Sequence, residues 1–303
     1  LFIGANGIAS IDDWTRYAGR SGPTDGAFNI LVFGAAAAVV FSLVAQIGEQ
    51  VDFLRFLPRQ SKGRRLQWWA SLLAAGPGWI VLGAIKLFAG SFLAYFALSG
   101  GVPAEHAAEP TQMYLIAFQQ MVSSPEIALG LMGVFVVLSQ IKINVTNAYA
   151  GSIAWSNFFS RLTHSHPGRV VWLVFNVAIA LVLMEMGIFQ ALEHILGLYA
   201  NIAVAWVGAI VADLVINKPL GLSPPHIEFK RAHLYDINPV GVGSMLAASI
   251  LSISAYLGLF GEVMQAMASF LALGTAFVLA PIIAYATGGK YYLARTPATV
   301  AED

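Results

Sequence analysis

The chain has 303 residues, 58% of them hydrophobic and only 11% charged, with zero formal net charge and a mean hydropathy of +0.72. A soluble domain carries about a quarter charged residues, so this composition is that of a membrane protein. The balanced charge excludes an electrostatic footprint for nucleic acid, and the lack of cysteine excludes disulfides, iron–sulfur clusters and thiolate chemistry.

Leu1 to Gly26 is polar and turn-rich, with Asp12, Asp13, Arg16, Arg20, Gly22 and Pro23. It reads as an extracytoplasmic loop carrying a short helix. The first apolar run comes only after this segment, so a signal-peptide layout is not expected. The start at Leu1 within a loop reads as part of a longer chain. Residues 27–287 read as the transmembrane domain, and 288–303 as a cytoplasmic tail or linker.

The first span opens at Phe28, with 18 almost purely apolar residues to Ala45. Gln46, Gly48, Glu49 and Gln50 follow within five positions, before the helical pattern resumes toward Asp52 and Arg55. As one helix, Phe28 to Arg55 would rise about 42 Å at 1.5 Å per residue. A glycine and three polar side chains would then lie inside the bilayer or at its inner margin. Such groups are tolerated there only when buried in protein or lining a wet cavity. The expectation is a broken helix with exposed amides, a device of secondary transporters. The plainer alternative is a span that ends at Ala45 with an interfacial polar tail.

Further along, Gln60 to Arg65 is a basic loop and Leu66 to Ala75 an interfacial segment, because Gly76-Pro77-Gly78 breaks any continuous helix. Trp79 to Leu98 is the second span, holding Lys86. A long loop with a short helix near Thr111 to Val122 follows. Glu126 to Ser160 is the third span, longer than the bilayer requires. Val170 to Gly187, Leu196 to Ile216, Val240 to Phe260 and Met264 to Thr287 complete a count of seven. On that count 12 of the 16 basic residues fall in alternate loops, which the positive-inside rule makes cytoplasmic. They are Arg55, Arg59, Lys62, Arg64 and Arg65; Arg161 and Arg169; Lys218, Lys230 and Arg231; Lys290 and Arg295. The intervening loops hold Glu105, Glu109, Glu193 and Glu262 and no Lys or Arg.

The third span carries a second polar cluster. Gln140, Asn144, Asn147 and Gly151 are spaced by four, three and four residues and share one helix face. Ser139, Lys142, Thr146 and Tyr149 form the neighbouring face. Amides donate and accept at once, which suits a planar heterocycle offering N–H and C=O groups. The competing reading is that they bond helix to helix, as Asn and Gln do in membranes. A lysine at mid-depth costs about 2.5–3.5 kcal/mol, so Lys86 and Lys142 should face water or a partner, and Glu49 is a candidate for either. Lys142 reads as a titrating amine that takes and releases a proton, and Lys86 as a snorkelling or structural cation.

Other features point away from chemistry. His164 and His166 lie in a basic loop without a third ligand, so no metal is expected. Gly241 to Gly243 follows no strand and is not a nucleotide fingerprint. Trp68, Trp69, Trp79, Trp155, Trp172 and Trp206 lie mostly near span ends, as interfacial aromatic belts do. Nothing assembles a nucleophile, base and acid, so neither an enzyme nor a cofactor is expected.

With these residues laid out, the chain resembles the cytosine/purine permeases of the nucleobase–cation symporter family. The resemblance rests on Val51-Asp52-Phe53-Leu54-Arg55-Phe56, similar to a small-Asp-aromatic-x-Arg-Phe ending. It rests also on Asn144 followed by Asn147-Ala148-Tyr149-Ala150-Gly151. It implies an all-α polytopic membrane protein of the leucine-transporter type, with two inverted five-helix repeats plus two extra helices. The seven spans would be helices six to twelve, and the N-terminal helices of the same parent chain would be their missing partners. It further implies that Gln46, Gly48 and Glu49, and Asn144 with Asn147, face a nucleobase-like ligand, to which the residue pattern itself adds Gln50 and Gln140. Asp52 and Arg55 would be structural.

Lys142-Ile143 departs from the small hydroxyl residues of sodium-coupled members, since an ammonium there repels or replaces sodium. Proton coupling through Lys142 and Glu49, or no coupling, is the expectation. Glu49 is itself unusual for the family. The implied function is uptake of a nucleobase or related heterocycle across the inner (plasma) membrane, with a cytoplasmic C-terminus. The alternative is a permease-like sensory module attached to a downstream signalling domain.

Overall fold

A computed structural model describes residues 8–19, 27–48, 54, 56–61, 63–163, 167–186, 192–228 and 230–294. Among them all regular structure is helical. Six stretches are long and apolar enough to cross a membrane: Ile30–Gly48, Arg65–Ser99, Pro125–Ser160, Ile195–Asn217, Pro239–Tyr256 and Ala268–Ala286. That is the make-up of a multi-pass membrane protein. Among the described residues the count is six, against the expected seven, and Gly187 at the end of the expected fourth span lies outside them. The stretch Val170 to Gly187 is helical over Arg169–Glu185, 17 residues, a rise of about 26 Å against a hydrocarbon core of about 30 Å. The chain divides into two compact units, residues 1–26 with 50–185 and residues 27–49 with 186–303.

In the first unit, the N-terminal loop does contain its short helix, α1 (Ile8–Arg16). Helices α3 (Arg65–Ala75) and α4 (Trp79–Ser99) are separated by the expected turn at Gly76-Pro77-Gly78. Trp14 anchors α1 on α4: its Nε1–H donates to Ser91 Oγ at 3.2 Å, and its ring meets Phe92 edge-on at 5.7 Å. Helix α5 (Pro110–Gln119), begun by a proline that needs no amide bond there, sets Tyr114 against Phe135 of the long helix α6 (Pro125–Thr163). Helix α7 (Arg169–Glu185) packs on the far end of α6 through a stack of aromatic rings. Phe159 and Trp172 lie nearly parallel, 4.6 Å apart, and Phe175 meets both edge-on. Trp155 joins the same stack, so Trp155 and Trp172 hold two helices together as well as lying near span ends.

The second unit is built on small residues. Helix α2 (Ile30–Ser42) starts at Asn29, whose Oδ1 accepts the Leu31 and Val32 N–H groups. Helix α8 (Leu192–Ala212), α9 (Pro239–Tyr256), the five-residue α10 (Glu262–Ala266) and α11 (Ala268–Ala286) follow. The expected sixth span thus stops at Tyr256, four residues short of Phe260, and the seventh starts at Ala268 after a separate turn of helix. Along α11, Ala268, Ala272, Ala276, Ala280 and Ala284 recur every fourth residue and are buried. Ala272, Ala276, Ala280 and Ala284 of this row cluster with Ala205, Ala209 and Ala212 of α8 and Val240 and Ala248 of α9. Lipid tails are as apolar as leucine, so burial alone brings little attraction between membrane helices. Small side chains at this spacing let the backbones approach and gain dispersion contacts instead.

Candidate functional site

The run after Phe28 changes its bonding at Leu43, three residues before the polar cluster opens at Gln46. The amides of Leu43, Val44, Gln46, Ile47 and Gly48 all bond carbonyls three residues back, to Val40, Phe41, Leu43, Val44 and Ala45. The switch from four-residue to three-residue bonding leaves the Val39 carbonyl without the Leu43 amide. The Ser42 hydroxyl donates to it instead, at 2.7 Å. Phe41 and Val44, on either side of the switch, pack into the α8–α9–α11 core. Gln46 is exposed and Gly48 half-buried; a Cβ on Gly48 would stand 3.5 Å from the Trp206 ring of α8. Glu49, Gln50, Asp52 and Arg55 lie outside the described residues, as do His164 and His166.

On α6 the expected amide face divides. Gln140, Asn144 and Asn147 are exposed, as is Lys142, and among the described residues neither Lys142 nor Lys86 has an ion-pair partner. Gly151, on the same face, meets another helix. Its missing side chain admits Asn176 of α7, and a Cβ there would lie 2.8 Å from the amide group. Asn176 Oδ1 accepts the Trp155 Nε1–H at 3.0 Å. At Gly151 the face is thus closed by another helix, whereas Gln140, Asn144 and Asn147 are exposed. Asn176→Ala is expected to lower the apparent melting temperature in detergent by the equivalent of about 1 kcal/mol, through the unpaired indole N–H. Gly151→Ala, which displaces the same amide, should act in the same direction, and unchanged melting of both would refute the assignment.

A second polar centre lies where the sequence reading placed only a span end. After Ala212, α8 loosens into a π-helical turn, Asp213–Asn217, whose last bond runs from Lys218 N–H to Asp213 O at 2.9 Å. The wider turn brings the Asn217 amide against the aspartate: Nδ2 donates to Asp213 Oδ1 at 3.1 Å. Tyr292 arrives from beyond α11 and donates its hydroxyl to that same oxygen, while its own oxygen lies 3.2 Å from Asn217 Nδ2. Gly288 and Gly289 make this return possible. Both have positive φ, +59° and +67°, and a Cβ on Gly289 would lie 2.8 Å from the Leu222 carbonyl oxygen. Burial, and then the carboxylate beside it, raise the Tyr292 pKa above the tyrosine value of 10.0. Asn217 is 0% exposed, and its Oδ1 has no hydrogen-bond partner among the described residues.

Asp213 and Tyr292 line a cavity of about 490 Å³ that is otherwise largely apolar. Lys218, also in its wall, directs its ammonium to the Pro224 and His226 carbonyl oxygens, at 2.5 and 3.4 Å. Glu228 accepts from His233 Nδ1 at 2.9 Å and from the Lys230 N–H at 2.8 Å. The sequence signal for this centre was an Asp and an Asn four residues apart at the end of an apolar run. Their partner is 79 positions from Asp213 and left no local trace. Compared with models of protein families, with curated proteins and with solved structures, the chain matches none.

Proposed function

We propose that the chain is part of a secondary transporter of the leucine-transporter type, moving a nucleobase or related heterocycle across the inner membrane by alternating access, with its C-terminus cytoplasmic. The observation that carries this reading is the change of bonding at Leu43–Gly48. It replaces four-residue bonding by tighter three-residue turns inside an otherwise apolar run, and Gln46 is exposed there. In an apolar medium a backbone group without a partner costs several kcal/mol, so a departure from regular α-helical bonding is favoured where protein, water or a solute can meet the groups it frees. Within the second unit Gln46 and Gly48 are the proposed solute contacts, and within the first unit the exposed amides of Gln140, Asn144 and Asn147 on α6 have the donor and acceptor chemistry for a heterocycle. Lys142, amid those amides, would carry the coupling proton, and sodium would not be used.

The test is uptake into membrane vesicles carrying the full-length protein, with labelled cytosine, uracil, hypoxanthine and allantoin under imposed sodium or proton gradients. Accumulation of one compound driven by the proton gradient, indifferent to sodium and lost in Lys142→Ala, is the expected result. Saturable binding with no uptake under either gradient would reject transport in favour of a ligand sensor. Neither binding nor uptake would reject the substrate class.

A further inference from the structure

We infer that the cavity beside Asp213 binds an organic cation, a protonated amine joined to an aromatic or aliphatic body. Asp213 closes a span that is apolar over Ile195–Asn217, and an acid retained in such a setting calls for a partner. Its two oxygens are unequal. Oδ1 accepts both the Tyr292 hydroxyl and the Asn217 amide, which fixes the carboxylate plane, whereas Oδ2 receives no donor among the described residues. The carboxylate lines the cavity, so the unengaged oxygen is the charge available to a ligand there.

The surrounding groups narrow the choice. The Lys218 ammonium is turned to backbone carbonyls, so it does not neutralise Asp213 through a direct contact. Glu228 is engaged by His233 and the Lys230 amide. Lys218 is the sole lysine or arginine among the described lining residues, so an anionic ligand would meet no unengaged lysine or arginine. Trp206, Ile210, Leu214, Val240 and Met245 make the walls, offering an indole face and aliphatic surface to the body of the ligand. A volume of about 490 Å³ lies within the ordinary range for small-molecule sites. A π-helical turn bearing the recognising groups is a frequent companion of such sites. The inference does not depend on transport, because it concerns binding to groups of the second unit alone.

The experiment is equilibrium binding of labelled tryptamine to the full-length protein in lipid nanodiscs, with tryptophol as the neutral competitor of the same shape. Saturable tryptamine binding is expected, with tryptophol weaker by about tenfold or more, the scale of a hydrogen bond to a charged group. Asp213→Asn, whose amide oxygen can still accept from Tyr292, should weaken tryptamine by a similar factor while leaving tryptophol unchanged. Trp206→Ala should weaken both. The inference is overturned by absence of saturable tryptamine binding to the wild type, or by equal affinity for the two compounds. Those two readings use the unaltered protein, so they decide the matter even if Asp213→Asn does not fold. Uptake of nucleobases without tryptamine binding, or the reverse, separates this inference from the transport proposal.

Discussion

Gly34→Val is expected to lower the melting temperature of the protein more than any other single substitution in α2. A Cβ at Gly34 would stand 2.4 Å from the Ala266 oxygen, 2.7 Å from its carbonyl carbon and 2.9 Å from its Cβ. Two of these atoms are backbone, at the end of α10, so no rotamer change relieves the contact and α2 must move away. Overpacking of this kind costs about 1–3 kcal/mol. Withdrawal of α2 would also disturb Phe41 and Val44, which fill the core formed by α8, α9 and α11. Gly34→Ala should show a smaller effect of the same sign. Gly274→Ala on α11, where a Cβ meets nothing within 4 Å, should leave stability unchanged or slightly raised. Thermal unfolding of the three variants in detergent, followed by size-exclusion fluorescence, reads the order directly. Equal melting of Gly34→Val and Gly274→Ala would show that α2 and α10 are not held at this distance.

The second large effect is expected at Asp213. Asp213→Ala strands the half-buried Tyr292 hydroxyl as a donor, at about 1–3 kcal/mol, and leaves the Asn217 amide only its 3.2 Å contact with the Tyr292 oxygen. Tyr292→Phe removes one donor and strands none on the aspartate, so it should cost less. The two also differ in pH dependence. The folded protein holds Tyr292 protonated above the pH at which a free tyrosine ionises, 10.0. Between those limits the unfolded chain has released a proton that the folded chain retains, so rising pH favours unfolding. The stabilising contribution of Tyr292 is therefore complete below about pH 10 and declines above it. Melting of wild type and Tyr292→Phe measured from pH 8 to pH 11 should converge as pH passes 10, since the other tyrosines contribute alike to both. A gap that stays constant over that range would place Tyr292 in water rather than against the carboxylate.

The tie between Asp213 and Tyr292 also marks how far local pattern reaches. Apolar runs of about 20 residues declare themselves because a bilayer admits little else, and Gln46 and Gly48 interrupting one of them announced the change of helix. The turn at Gly76-Pro77-Gly78 and the small helix near Thr111 were legible for the same reason: proline and glycine act on the backbone where they stand. The face shared by Gln140, Asn144 and Asn147 was legible as a face, because helical periodicity alone defines it. Which part of it would meet another helix was not. That depended on Asn176 arriving beside Gly151, a matter of how α7 returns along α6.

By itself, then, the sequence determined that the chain is helical and apolar and that polar groups from Gln46 onward enter its first apolar run, since each of these follows from groups within a few residues of one another. Tertiary structure decided that an alanine row on α11 would become the seam of the second unit. It also ended α8 in a π turn and brought a tyrosine from beyond the last span to fix the aspartate there. Close approach and hydrogen bonding between positions 79 apart depend on the path of the whole chain, which no window of neighbouring residues contains.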